Sequence, residues 1–262
     1  MLSTIPVRAP FPWTELLGYL SVRSIPVIEA ISPDCYRRRL NDGIVSVAFD
    51  TRKACLRIDV EGVRNKEGIL DAVAKLFDTD FDSSRVVEVL GRTRLIGPRI
   101  RKVPGLRPLG AWDPFELCVR TILGQQVTVA AAATLMQRWV QRCGAITPEC
   151  VLAANLDNIG MPSRRVDTVR TLARALLEKQ VLFDAPWTEI DAALKALPGF
   201  GPWTRDYLAI RLGRDSDAFP ASDLGLIRAA KVASPAQLLK IAERWRPYRA
   251  YAATYLWAVD VK

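Results

Sequence analysis

The chain contains no histidine. That absence excludes Ser-His-Asp and Cys-His catalysis, histidine metal ligation and a histidine general base. Acid–base and electrostatic work is left to carboxylates, lysines and tyrosines. Cysteine is sparse: Cys35, Cys55, Cys118, Cys143 and Cys150 are odd in number and include no C-x-x-C pair. Neither a disulfide framework nor a thiolate zinc site fits that pattern. No apolar run reaches the roughly 18 residues of a membrane span. Met1 to Pro10 lacks the apolar core of a signal peptide, so a cytoplasmic location is expected, with no membrane contact.

Acidic residues are the minority charge. Against 37 lysines and arginines stand 28 aspartates and glutamates, a net charge of +9. An anionic partner follows, and nucleic acid is the commonest, although a generic basic protein carries the same sign. The 262 residues, half of them hydrophobic, suffice for one large domain or two to three small ones.

Residues 11–24 predict a short helix with Leu16, Leu17 and Leu20 on one face, beside Trp13 and Tyr19. Ile25–Ala30, Tyr36–Leu40, Ile44–Phe49 and Ala54–Val60 read as strands, and Asn41-Asp42-Gly43 as a hairpin turn. Gly68–Phe77 and Ser83–Leu90 read as helices. Gly91–Gly110 is basic and rich in Gly and Pro; it is either a solvated linker or a stretch laid along a phosphate backbone. From Trp112 to Gly213 the pattern is helical. Asp113-Pro114-Phe115-Glu116 is a start signal, with Asp113 as cap and Glu116 reaching back as in a capping box. Gly124-Gln125-Gln126-Val127-Thr128 interrupts the helices; its amides either read nucleic-acid edges or mark a surface corner. The closing helices, from Pro235 onward, are rich in aromatics that suit core packing.

Residues 188–212 form a helix, a Pro-Gly-Phe-Gly turn and a second helix. Pro198 stops the first helix, Gly199 and Gly201 accept backbone angles closed to other residues, and Pro202 suits the first turn of the next. Helix amides opening from a loop without side chains bind a phosphate oxygen, though an ordinary helix–helix connection uses the same residues. Trp203 and Tyr207 lie one turn apart, and Phe219-Pro220-Ala221-Ser222-Asp223 follows. Asp223 is well placed to cap the helix from Leu224.

These motifs resemble the DNA-3-methyladenine glycosylase II (AlkA) family of the helix-hairpin-helix DNA glycosylase superfamily. Pro12 to Leu20 is similar to the start of its α+β domain, Phe115 to Thr128 to its DNA-inserting loop region, Leu197 to Asp223 to its hairpin and catalytic aspartate, and Glu243 to Trp257 to its closing helices. The resemblance implies an α+β fold: a small antiparallel-sheet domain over 1–77, then a mostly helical glycosylase region over 78–262 in two subdomains with a cleft between them. It implies Asp223 as the catalytic aspartate, Tyr19, Trp203, Tyr207 and Trp257 around the base pocket, Gly199, Gly201 and Thr204 near DNA phosphate, and Gln126 at the wedge position. Some members have leucine at the wedge. After Asp223, Leu224 and Gly225 replace a bulkier pair, which opens the pocket. No cysteine follows Asp223, so the iron–sulfur loop of some relatives is absent.

The implied activity is monofunctional excision of alkylated purines from duplex DNA in base excision repair, by a monomer that needs no cofactor and associates with the nucleoid. A monovalent cation on hairpin carbonyls is implied as an option. A buried base must be flipped out to be reached, an aromatic pocket suits a cationic ring, and a carboxylate balances charge developing on the sugar. A DNA-gripping protein without catalysis is one alternative, and a glycosylase/lyase for oxidised bases another.

Overall fold

A computed structural model describes residues 2–63 and 68–258. Five antiparallel strands form one sheet in the order β1-β5-β4-β3-β2: β1 (Leu2–Pro6), β2 (Glu29–Ser32), β3 (Cys35–Leu40), β4 (Gly43–Asp50) and β5 (Cys55–Glu61). Leu40 pairs with Gly43, so the Asn41-Asp42 step closes the hairpin. In the register Val47 lies between Tyr36 and Ile58, and Val45 faces Val60. All five of these side chains are buried. Burial of each large apolar one contributes about 1.5–3 kcal/mol.

Two strand expectations are corrected. Of Ile25–Ala30 only the end is strand; Ile25 to Ile28 form a turn in which the Ile28 and Glu29 amides bond back to the Ile25 carbonyl. Leu2–Pro6 had no strand assigned, yet it pairs along β5.

Helices α1 (Trp13–Ser21) and α2 (Ile69–Phe77) cover the sheet with Leu16, Leu17, Leu20, Val73 and Phe77. After α3 (Ser83–Leu90), the basic Gly91–Gly110 stretch is no solvated linker: it contains α4 (Gly97–Lys102), and Arg107 is fully buried. Its guanidinium donates to the carbonyls of Gly105, Asp78, Arg8 and Pro10. Its charge centre lies 4.9 Å from the rings of both Phe11 and Phe81.

The helical region comprises α5 (Pro114–Leu123), α6 (Val129–Cys143), α7 (Pro148–Ala153), α8 (Ser163–Leu177), α9 (Trp187–Lys195) and α10 (Pro202–Arg211). Then come α11 (Leu224–Ala230), α12 (Pro235–Ala242) and α13 (Arg249–Trp257). Two hydrophobic cores result. One joins the sheet and α1–α4 to Leu226, Leu238, Trp245 and Leu256 of the closing helices. The other lies among α5–α10, around Phe115, Trp139, Val169, Leu172 and Phe200. The chain therefore leaves the first core after Leu109 and returns along α10, where Leu208 belongs to the second core and Ile210 to the first. A cleft opens where the two meet. Among the described residues, no helix is long and apolar enough to cross a membrane.

Candidate active-site cleft

The hairpin between α9 and α10 is set by two glycines of different kinds. Gly199 has φ +84°, and a Cβ there would meet the Thr168 side chain at 2.7 Å. Gly201 departs from expectation: its φ is −65°, open to any residue, and a Cβ on it would meet nothing. It is therefore the space outside Gly201, not its backbone angle, that lets another molecule approach. Pro202 opens α10, and the Trp203 and Thr204 amides, in the first turn, have no intrahelical acceptor.

The α5–α6 loop reaches this hairpin through Gln125, whose amide was expected either to read nucleic-acid edges or to mark a surface corner and is instead engaged within the protein. Its Nε2 donates to the Gly199 carbonyl and to Thr204 Oγ1, both at 3.1 Å. Thr204 is consequently buried; its hydroxyl, expected near phosphate, faces protein. Gln126 is the exposed neighbour and sits at φ +57°.

On α10, Trp203 and Tyr207 stack with centroids 5.5 Å apart and planes 10° off parallel. Trp257 of α13 meets Tyr207 edge-on at 5.7 Å. The Tyr19 hydroxyl on α1 shares a 3.3 Å hydrogen bond with that of Tyr207. Asp223 lies against this group. It caps α11 by accepting from the Leu226 amide at 2.9 Å, and the same carboxylate accepts from Trp203 Nε1 at 2.8 Å and Trp257 Nε1 at 3.0 Å. Three N–H donors thus converge on two oxygens and fix the plane of the carboxylate. Asp223 thus caps α11 and lines the cleft in one geometry. Tyr19, Trp203, Tyr207, Trp257 and Asp223 all line one cleft of about 390 Å³, within the size range of small-ligand sites.

Charged side chains line the same cleft. Arg38 of β3 pairs with Glu116 of α5 and, at 3.4 Å, with Glu29 of β2. Arg120 pairs with Glu29 at 2.8 Å and with Glu116 at 2.7 Å. Glu116 was expected to close a capping box; only the Asp113 half forms, its carboxylate accepting from the Glu116 amide at 2.8 Å. The Glu116 carboxylate turns instead to the two arginines. Burial alone would raise its pKa, but Arg38 and Arg120 hold it down at about 2.

Two further arginines line the cleft. Arg23 stacks over the Tyr19 ring, 3.8 Å from its centroid, and Arg211 approaches the same ring at 4.7 Å. Burial raises the Tyr19 hydroxyl, but Arg211, then Arg23, the bond to Tyr207 and Arg120 bring it below an ordinary phenol. For Tyr207, burial and then Tyr19 push its hydroxyl up. Arg211 was legible in principle: Trp203, Tyr207 and Arg211 repeat every four residues, one face of a helix.

The chain matches two family models, "AlkA N-terminal domain" over residues 3–113 and "HhH-GPD superfamily base excision DNA repair protein" over residues 119–238. It is 32% identical to DNA-3-methyladenine glycosylase 2 of Escherichia coli (strain K12), covering 98% of this chain and 97% of that protein. It is 36% identical to a probable bifunctional transcriptional activator/DNA repair enzyme AlkA of Mycobacterium tuberculosis, covering 97% of this chain. It spans only 56% of that relative's length. Among solved structures, a 3-methyladenine DNA-glycosylase from Archaeoglobus fulgidus superposes with a TM-score of 0.82 at 19% identity, covering 97% of both chains; at that identity the likeness concerns the fold.

Proposed function

The chain belongs to the AlkA family of helix-hairpin-helix base excision DNA repair proteins, and from that premise we propose that it is a monofunctional DNA glycosylase acting on alkylated purines in duplex DNA. The observation that carries this reading is the Asp223 carboxylate, held by two indole N–H groups and a helix amide at the rim of an aromatic cleft. A protein that only grips phosphate gains nothing from a carboxylate in its cleft.

In the proposed reaction the hairpin engages a phosphate through the Trp203 and Thr204 amides, outside Gly199 and Gly201. Gln126, exposed at the α5–α6 corner, fills the gap left by the extruded nucleotide. The base enters among Trp203, Tyr207, Trp257 and Tyr19. As the N-glycosidic bond lengthens, positive charge grows on the sugar, and Asp223 balances it and orients the attacking water. The protein works as a monomer on DNA.

No step runs through a cation at the hairpin. The Gly199 carbonyl already accepts from Gln125, and the Phe200 carbonyl accepts from Arg205 Nη1 at 2.9 Å. Each of these carbonyls keeps a second lone pair, so a monovalent cation on the hairpin stays an option that the proposed reaction does not use.

Lyase chemistry needs an amine nucleophile. The position two residues past Gly201 is Trp203, which is engaged with Asp223. Lys195 ends α9, before the hairpin. Borohydride treatment on damaged duplex is therefore expected to trap no covalent adduct, and a good yield of adduct would favour the lyase alternative.

Asp223→Asn tests the central claim. The amide keeps the shape and the cap but not the charge, and release of 7-methylguanine is expected to fall about 10²–10³-fold with duplex binding retained. A folded variant with near wild-type turnover would make Asp223 a cap alone.

A further inference from the structure

A second cavity shares one wall with the cleft. Its volume is about 250 Å³, larger than the roughly 150 Å³ apolar void that takes up benzene. Helix α1, residues 103–109 and α13 enclose it. Only Tyr19, Arg211 and Trp257 line both spaces. Helix α1 shows the division: Leu20 and Arg23 line the cleft, Leu16 and Gly18 line the cavity, and Tyr19 stands between them. The cavity plays no part in the reaction proposed above.

The inner walls are apolar, with Leu16, Leu106 and Leu109 buried there. Two guanidiniums stand among them, Arg107 at 1% exposure and Arg211 at 8%. Neither forms an ion pair with a described carboxylate. The hydrogen bonds of Arg107 all go to backbone carbonyls. Arg211 donates only to the Gly110 carbonyl, at 3.1 Å, and its Nε has no partner. Burial brings Arg107 down to about 10, against the attraction of the Asp78 carboxylate. A buried cation with an unmet donor is costly, and an incoming anion relieves it. The mouth lies where Glu15 and Gly18 of α1 and Ala258 after α13 are exposed. Gly18 sits inside α1, where alanine would suit the helix better, and a Cβ added to it would meet nothing within 4 Å. The glycine therefore leaves the entrance open. Glu15 stands in solvent at this rim, and the two buried arginines outnumber it.

We propose that this cavity is a second ligand site, which takes a small carboxylic acid with an apolar body. The body packs among Leu16, Leu106 and Leu109, and the carboxylate turns to Arg211 and Arg107. Such a molecule needs no feature of DNA, so the site stands independently of the glycosylase reading. Its occupant rests against Tyr19 and Trp257 from the side away from the cleft, and props the wall that the two spaces share.

The test is calorimetric titration of the full chain with 3-phenylpropionate. One saturable site with a Kd of about 0.1–1 mM is expected, the range open to a ligand of this size. 3-Phenyl-1-propanol has the same body without the charge and should bind about tenfold more weakly, because a charge-assisted hydrogen bond is lost. Gly18→Leu places a side chain in the mouth and should weaken 3-phenylpropionate by about tenfold or more, in a protein whose thermal unfolding remains cooperative. Gly18 lines the cavity and not the cleft, so the variant separates the two spaces. Unchanged affinity in folded Gly18→Leu would put the acid elsewhere and overturn the proposal. Absence of saturable binding up to about 10 mM, well above the expected Kd, overturns it as well, and so does equal binding of acid and alcohol. Should Gly18→Leu fail to fold, Ala258→Trp at the other lip of the mouth is read by the same criterion.

Discussion

Two pairs of arginines face the same cleft and differ in what neutralises them. Arg38 and Arg120 are locked to Glu29 and Glu116 across the junction of β2, β3 and α5. Arg23 and Arg211 meet aromatic rings and carbonyl oxygens instead. The first pair ties the sheet to the helical region and adds little net field, because each charge is answered within about 4 Å. The second leaves positive charge beside Tyr19, while Asp223 adds a carboxylate to the same cleft. One cleft thus contains a brace that only holds and a polar end left open to what enters.

Breaking the brace should have the largest effect. Glu116→Gln leaves the buried Arg38 and the half-buried Arg120 short of a carboxylate and is expected to cost about 3–5 kcal/mol in urea unfolding. The pH dependence has a definite sign. Glu116 sits at about 2 in the fold, against 4.5 for a free glutamate. Its stabilisation is complete above pH 4.5 and is lost as pH falls from there toward 2. Wild type should lose stability across that window, and Glu116→Gln should show no such component. An equally stable variant would show that the brace is dispensable.

The hairpin glycines repeat the contrast on a smaller scale. Gly199→Ala imposes a left-handed angle and a clash with Thr168, so a loss of about 1–2 kcal/mol is expected, read by thermal unfolding. Gly201→Leu should move stability by only about 0.5 kcal/mol. Its side chain stands where a phosphate would approach, and binding to damaged and undamaged duplexes should weaken alike, by about fivefold, because phosphate contacts carry no sequence information. Loss confined to damaged DNA would remove Gly201 from the backbone interface.

Much of the frame was legible. The Asn41-Asp42-Gly43 turn, the Asp113 cap and the helix boundaries around the Pro-Gly-Phe-Gly hairpin are local signals, and the structure places them as read, Gly201's backbone angle apart. Leu2–Pro6 was not legible, because it pairs with β5, about fifty residues on. The basic stretch around Arg107 misled for the same reason: nothing nearby in sequence announces carbonyls from Arg8, Pro10 and Asp78. Gln125 and Gln126 are adjacent and alike in chemistry. Only the packing of the α5–α6 corner against the hairpin turns one inward and leaves the other exposed.

By itself the sequence determined the periodic and punctuated features: helices, turns and caps, the lack of histidine chemistry, and the aspartate after the hairpin. Those depend on backbone preferences and on neighbours a few residues away. Which charges are neutralised was decided only in three dimensions. Arg38, Arg107 and Arg211 are the same residue type in the sequence. The fold gives the first two carboxylates or several carbonyls and gives the third a single carbonyl and two tyrosine rings, because a guanidinium's partners are whatever distant segments fold against it.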